Sequence, residues 1–205
     1  GLPLSNRKPG EPTKAVNLAQ QLVFSDKVHF VIGPVNSGES LATVPILAKA
    51  GIPNIVIGAL EGLIDEKKYP PATFLHYIDQ AKNRYKFPDE LLSEATGYED
   101  RLKAEVYQRY QQALFQAKAF DFGDLLVNGV RILEQHPEVL KSYQHFIRFV
   151  LVDEFQDTNE VQYRFIRLLT ANHKNLLVVG DDDQSIYSFR GASISNILGF
   201  ERDFQ

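Results

Sequence analysis

Two apolar runs rich in β-branched residues lie in the C-terminal part of the chain, and both end in carboxylates. Residues 149–152 read Phe-Val-Leu-Val and are followed by Asp153 and Glu154, and residues 176–179 read Leu-Leu-Val-Val and are followed by Gly-Asp-Asp-Asp. Short continuous apolar runs of this kind are typical of buried parallel strands. Because open α/β sheets bind ligands at the carboxyl edge of their strands, we expect these acids to lie at a functional edge.

The first sixty residues alternate between helical and strand patterns. Apolar residues spaced three and four apart from Pro12 onward predict an amphipathic helix, and residues 28–32 predict a short strand. After a turn at 33–40, a second helix is expected from about 41 to 50 and a further strand at 52–57. This α-β-α-β order favours a parallel sheet.

The middle of the chain is predicted to be helical. Helical periodicity and turn residues predict helices at 71–85, 88–92, 98–117, 121–135 and 137–143. We therefore expect an α/β fold, in which a parallel sheet built from both ends of the chain is flanked by helices and a helical subdomain is inserted from about 66 to 114.

Composition narrows the classes of function. With 44% hydrophobic residues among 205, the chain can bury a core, and it has no cysteine for a disulfide or a thiolate metal site. The five histidines show no metal-ligand spacing, so no zinc site is predicted, and no run is long enough to cross a membrane. A chain without methionine that starts at Gly1 is expected to be a fragment, a processed chain or a laboratory product.

The net charge of −4 argues against a broad basic face for nucleic acid. Any such contact has to come from a local patch, and the alternative for the basic residues is an ordinary solvated surface. The candidate patch consists of Lys67, Lys68, Lys82, Arg84 and Lys86.

Adjacent carboxylates at a strand end can divide the work of nucleotide hydrolysis between a Mg²⁺ ligand and a base for water; the alternative is a pair of solvated loop acids. Residues 152–158 (Val-Asp-Glu-Phe-Gln-Asp-Thr) and 179–187 (Val-Gly-Asp-Asp-Asp-Gln-Ser-Ile-Tyr) closely resemble motifs II and III of the UvrD/Rep/PcrA helicases. These are superfamily 1 motors that move along single-stranded DNA using ATP, and the resemblance runs from about residue 66 to 205.

The resemblance implies a P-loop NTPase-like motor domain with Mg²⁺ and ATP as cofactors, single-stranded DNA as partner and a cytoplasmic location. Asp153 would hold the metal, Glu154 would be the catalytic base, and Gln184 would sense the γ-phosphate. Phe189 stands where the family usually has a tryptophan that stacks on DNA, with Tyr187 beside it; ordinary strand packing is the alternative for both. Arg190 would flank this surface and is a candidate nucleotide contact.

A glycine turn at residues 33–40 departs from the family pattern. Gly33, Gly38 and Ser40 have the spacing of a phosphate-binding loop, but Glu39 stands where the lysine belongs. A like-charge pair 4 Å apart repels by about 4 kcal/mol at an effective dielectric of 20, so a polyphosphate should be held poorly. Because the chain also stops at Gln205, before a second motor domain, no appreciable ATPase or unwinding activity is expected.

Residues 8–60 resemble a different family, the first lobe of periplasmic branched-chain amino-acid binding proteins of ABC transporters. The resemblance rests on residues 10–16 (Gly-Glu-Pro-Thr-Lys-Ala-Val), 31–34 (Val-Ile-Gly-Pro) and 50–53 (Ala-Gly-Ile-Pro). It implies that Ser37 and Ser40 receive a ligand carboxylate; the alternative is that these serines only cap a helix.

Two unrelated resemblances in one chain predict a chimera. The expected segments are a β-α-β piece at 1–62, a helical subdomain similar to the helicase 1B region at 63–118, and a motor-domain segment at 119–205. Two alternatives to a helicase segment remain open at this point: a module that binds a branched-chain amino acid, and a recombined fold without any ligand.

Overall fold

The computed structural model describes residues 12–33, 37–52, 54–55, 70–181, 200 and 204. The chain begins with α1 (Pro12–Phe24), β1 (Val31–Ile32), α2 (Ser37–Lys49) and β2 (Asn54–Ile55). It continues with α3 (Pro71–Asn83), α4 (Pro88–Glu94), α5 (Tyr98–Gln116), β3 (Ala119–Phe120), α6 (Phe122–Gln135) and α7 (Pro137–Phe146). The last elements are β4 (Val150–Val152), a short 3-10 helix (Phe155–Asp157), α8 (Glu160–Thr170) and β5 (Leu176–Val178). Within the described ranges, no helix is both long enough and apolar enough to span a membrane.

The chain divides into two compact units. The first unit consists of Gly1–Leu75 with Glu105–Phe122, and the second consists of His76–Ala104 with Gly123–Gln205. The predicted segments 1–62, 63–118 and 119–205 stay a prediction, as does the likeness of the second of them to a helicase subdomain.

The first unit contains a parallel sheet in the order β1-β2-β3. Val31 of β1 lies opposite Asn54 of β2, and Ile55 of β2 lies opposite Phe120 of β3. Helices α1 and α2 pack on each other, and Leu47 of α2 is almost fully buried. This is the parallel arrangement that the alternating N-terminal pattern predicts.

The second unit pairs β4 with β5 in parallel, with Val152 opposite Val178. The inward face of these strands packs on α8, where an apolar cluster forms from Val152, Leu176, Val178, Phe155, Tyr163, Ile166, Phe200 and Phe204. Since side chains alternate along a strand, Leu151 and Leu177 lie on the opposite face, where they are exposed. Helix α8 thus fixes β4, and with it the acids that follow this strand.

Most predicted elements are confirmed, with differences of a few residues at their ends. Helix α2 begins at Ser37, about four residues before the prediction. The strands do not form one sheet: in the described residues they form a three-stranded and a two-stranded sheet. One strand of the first sheet, β3, was not predicted, and it pairs with β2.

Candidate active site

The candidate site begins where β4 ends. Asp153 and Glu154 follow the strand directly, and both are exposed. Glu154 has left-handed backbone angles (φ 51°, ψ 43°), which turn the chain sharply from the strand into the 3-10 helix. Its backbone N–H donates to Asp153 Oδ1 over 2.9 Å, which orients the aspartate. Such a conformation costs a non-glycine residue about 1 kcal/mol or more and is concentrated at functional sites.

A cavity of about 400 Å³ lies against these acids. Its wall combines three acids with two neutral polar residues and an apolar floor: Asp153, Glu154, Asp157, Thr158, Gln162, Val152, Phe165 and Ile166. All of these residues belong to the second unit. The cavity is therefore formed by the end of β4, the turn that follows it and the start of α8.

Asp157 supplies a further carboxylate to this wall. Its Oδ1 atom is buried, and in the described part of the chain no hydrogen-bond partner reaches it. A buried oxygen without a donor is costly, so it is suited to an additional ligand. Among the described residues no three His, Cys, Asp or Glu form a metal cluster. Mg²⁺ normally takes only one or two carboxylates and completes its shell with water and phosphate oxygens. The carboxylate oxygens of Asp153 and Asp157 therefore fit Mg²⁺.

Gln156 is a site residue that was not among the predicted ones, although it lies within the motif II segment. Only 1% of the residue is exposed, and its Nε2 donates to Glu154 Oε2 over 2.6 Å. An amide carries no charge that would distinguish it in a sequence. The only indication of its role in the sequence is its position two residues after Glu154.

The glycine turn of the first unit follows β1. Gly33 has φ of +103°, a conformation that glycine adopts without strain, and Ser37, Gly38 and Ser40 lie in the first turn of α2. A strand followed by a helix N-terminus is the order in which a phosphate-binding loop occurs, and residues 34–36 between them lie outside the described residues. However, Glu39 is also in that first turn, where it already places a negative charge at the helix N-terminus.

Four predicted site residues lie outside the described residues. These are Gln184, Tyr187, Phe189 and Arg190. Their assigned roles stay predictions.

Lys82 belongs neither to the candidate basic patch nor to its alternative, a solvated surface. Its Nζ lies 2.6 Å from Asp124 Oδ1, and both side chains are almost fully buried. Such a pair persists only because each charge compensates the other. Lys86 also has acidic partners: hydrogen bonds to Glu90 and Glu94 raise its pKa. Arg84 is exposed, whereas Lys67 and Lys68 lie outside the described residues.

A comparison with protein families finds a match to the UvrD/REP helicase N-terminal domain over residues 27–205. The chain belongs to this family. The matched range includes β1, the glycine turn, the cavity and both acid-bearing strands. The family membership agrees with the resemblance of motifs II and III.

Individual relatives are ATP-dependent DNA helicases named PcrA. The protein from Staphylococcus aureus is 47% identical over 141 residues, which is 69% of this chain and 19% of the relative. The protein from Staphylococcus epidermidis is 44% identical over 141 residues, which is again 69% of this chain and 19% of the relative. The chain thus spans about a fifth of the length of these relatives.

The UvrD/REP match also bears on the N-terminal segment. It begins at residue 27 and so takes in much of the stretch, 8–60, that resembles a periplasmic binding protein. Neither that likeness nor a chimeric origin is shown by the comparisons. Amino-acid binding by Ser37 and Ser40 stays a prediction.

Proposed function

We propose that this chain is a motor-domain segment of an ATP-dependent DNA helicase, in which Asp153 is the Mg²⁺ ligand and Glu154 is the base for the attacking water. The observation that carries the proposal is the pair of adjacent carboxylates at the end of β4, exposed at the wall of a cavity of about 400 Å³. Bound Mg²⁺ would neutralise charge on the phosphate oxygens. Asp157 would support the metal's shell through its buried Oδ1.

Glu154 is suited to accept a proton because its carboxylate is held. Its backbone is fixed in the left-handed region, and its Oε2 accepts a hydrogen bond from Gln156. A general base has to be placed within hydrogen-bond reach of the water that it deprotonates. Two constraints on one exposed side chain favour this role over that of a solvated loop acid.

The proposal assigns phosphate binding to the turn after β1, with reduced affinity. The N-terminus of α2 favours an anion, but the carboxylate of Glu39 in its first turn opposes one. Replacing Glu39 by lysine changes the local charge by two units and converts repulsion into attraction. We infer that Glu39 limits nucleotide use by this chain.

ATP hydrolysis tests the assignment of the acids. In chains that carry Glu39→Lys, we expect Mg²⁺-dependent ATP turnover that Glu154→Gln lowers at least about a hundredfold, because a general base contributes roughly 10²–10⁴-fold. The steady-state rate is measured with and without Mg²⁺, and Glu138→Gln on α7 serves as the control for loss of an exposed carboxylate. If ATP turnover is not lowered in Glu154→Gln, Glu154 is not the base for the attacking water.

Single-stranded DNA is the proposed partner, and the family resemblance assigns its contact to Phe189 with Tyr187. Stacking of a base on an aromatic ring contributes about 1–3 kcal/mol, so Phe189→Ala should weaken binding of an oligothymidylate by about fivefold to a hundredfold. Fluorescence anisotropy measures this affinity, with the exposed Phe115→Ala as the control. Equal affinities for the two variants would contradict the contact.

A further inference from the structure

The carboxamide of Gln156 connects the turns that follow two neighbouring strands. Its Nε2 donates to Glu154 Oε2 over 2.6 Å, and its Oε1 accepts from the backbone N–H of Asp181 over 3.0 Å. Glu154 lies two residues beyond β4, and Asp181 lies three residues beyond β5. One buried side chain therefore contacts both acid-bearing segments of the second unit.

Gly180 allows this close approach. A methyl group on Gly180 would lie 2.6 Å from Gln156 Oε1 and 3.2 Å from the backbone nitrogen of Phe155. Both distances are shorter than ordinary van der Waals contact, so a larger residue would displace the amide or the turn. The same two segments are also joined by the Phe155 N–H, which donates to Val179 O over 3.0 Å.

The orientation of the Gln156 amide follows from its two partners. The Asp181 N–H is a donor, so the amide must present its oxygen to it, and its NH₂ group then faces Glu154. A buried amide is costly unless both of its ends are bonded. Gln156 is 1% exposed, and this burial holds the donor in place against the carboxylate.

We propose that Gln156 is a positioning residue for the Glu154 carboxylate, and that it links the orientation of that carboxylate to the backbone that leads from β5 into motif III. This inference rests on the proposed function, because it takes Glu154 as the base for water. The hydrogen bond holds Glu154 Oε2, and the bond to Asp181 anchors the amide that provides it. Displacement of the Asp181 backbone would therefore be transmitted to the base.

The test compares the loss of this amide with the loss of another buried amide. Gln156→Met removes both hydrogen bonds and keeps a similar volume, whereas Gln156→Glu keeps an acceptor for Asp181 but replaces the NH₂ donor by a carboxyl group, which either shares a proton with Glu154 or repels it. Gln144→Met is the matched control: Gln144 is buried, donates to Leu168 O over 2.7 Å and accepts from Asn172 Nδ2. All variants are made in the full chain with Glu39→Lys.

For ATP turnover, we expect both Gln156 variants to lower kcat by about tenfold to a hundredfold while KM for ATP changes less than about twofold, since a small misplacement of a reacting group costs rate and not binding. Gln144→Met should keep kcat within about twofold. Amide hydrogen exchange at Asp181, followed by NMR, should become faster in Gln156→Met and stay slow in Gln156→Glu. If Gln156→Met does not fold, Gly180→Ala should give the same fall in kcat by displacing the amide.

Failure of the positioning role and failure of the proposed function give different patterns of ATP turnover. If Glu154→Gln abolishes turnover while the Gln156 variants match Gln144→Met, the proposed function stands and the positioning role is wrong. If turnover is absent in the Glu39→Lys chain, or does not depend on Glu154, the proposed function fails and the positioning role fails with it.

Discussion

Tyr85 is half-buried in the second unit and held by groups of both charges. Its hydroxyl donates to Glu134 Oε2 over 2.8 Å, and the guanidinium of Arg164 lies 4.6 Å from its ring centre. Burial, followed by the hydrogen bond to Glu134, raises the pKa of Tyr85 to about 12. The folded chain therefore holds this proton more tightly than the unfolded chain does, in which a tyrosine titrates near pH 10.

A pH dependence of stability follows from this shift. The contribution of Tyr85 should be fully present below pH 10 and should be lost as the pH rises from about 10 to about 12. Because the side chain is partly solvated, we expect the loss to be about 1 kcal/mol, less than the full shift implies. Urea unfolding at pH 9 and pH 11.5 measures it for the parent chain and for Tyr85→Phe.

In this experiment Tyr85→Phe should show the smaller fall in unfolding free energy between the two pH values. The same substitution at the exposed Tyr98 controls for the loss of a phenol. A fall that is equal in the parent and Tyr85→Phe chains would contradict the assignment.

Some site residues can be predicted from the sequence, and others cannot. Asp153 and Glu154 are recognisable because two charges directly follow an apolar strand, and the strand places them at a sheet edge. Burial of Lys82 is not recognisable, because it depends on Asp124, which lies 42 residues further along the chain. The role of Gln156 likewise depends on Asp181, a contact that arises only when two strands pair.

Helix α8 holds the turn that follows β4, and its N-terminus is closed by a capping box. The Asn159 side chain accepts from the Gln162 N–H over 2.9 Å, while the Gln162 side chain accepts from the Asn159 N–H over 3.0 Å. Asn159 Nδ2 also donates to Asn83 Oδ1 at the end of α3. The start of α8 is thus fixed to its own backbone and to a second helix.

We expect Asn159→Ala to lower the free energy of unfolding by about 1–2 kcal/mol, because it removes the cap and the bond to Asn83. Asn159→Asp keeps the cap acceptor but loses the amide donor, so its cost should be smaller. Urea denaturation with circular dichroism compares the two variants. If the aspartate variant is as unstable as the alanine variant, the cap is not the main contribution.

Elements with a long periodic or continuous apolar pattern could be predicted, whereas β3, which is set only by its pairing, could not. The spacing of apolar residues predicts α5 and α6 closely, because a helix is specified by its own sequence. The two residues of β3 carry no such pattern, and only their pairing with β2 makes them a strand. The division of the strands into two sheets was missed for the same reason.

Two features of the charge of this chain oppose the binding of a phosphate. Its net charge is −4, and Glu39 adds an acid at the N-terminus of α2. The family match nevertheless includes this turn together with the acids after β4. We therefore expect Glu39, and not a lack of the acids after β4, to limit nucleotide binding.

Calorimetric titration of ATP, with Mg²⁺ or with EDTA, shows whether Glu39 opposes nucleotide binding and whether Asp153 holds the metal. Glu39→Lys should tighten Mg²⁺-dependent ATP binding at least about tenfold, about 1.4 kcal/mol, because a repulsive charge becomes an attractive one. Glu138→Lys on α7 makes the same charge change at an exposed site and should not do so. Adding Asp153→Asn to Glu39→Lys should remove the Mg²⁺-dependent part. If ATP binds equally tightly with EDTA, or if Asp153→Asn leaves its binding unchanged, Asp153 does not hold a metal for the nucleotide.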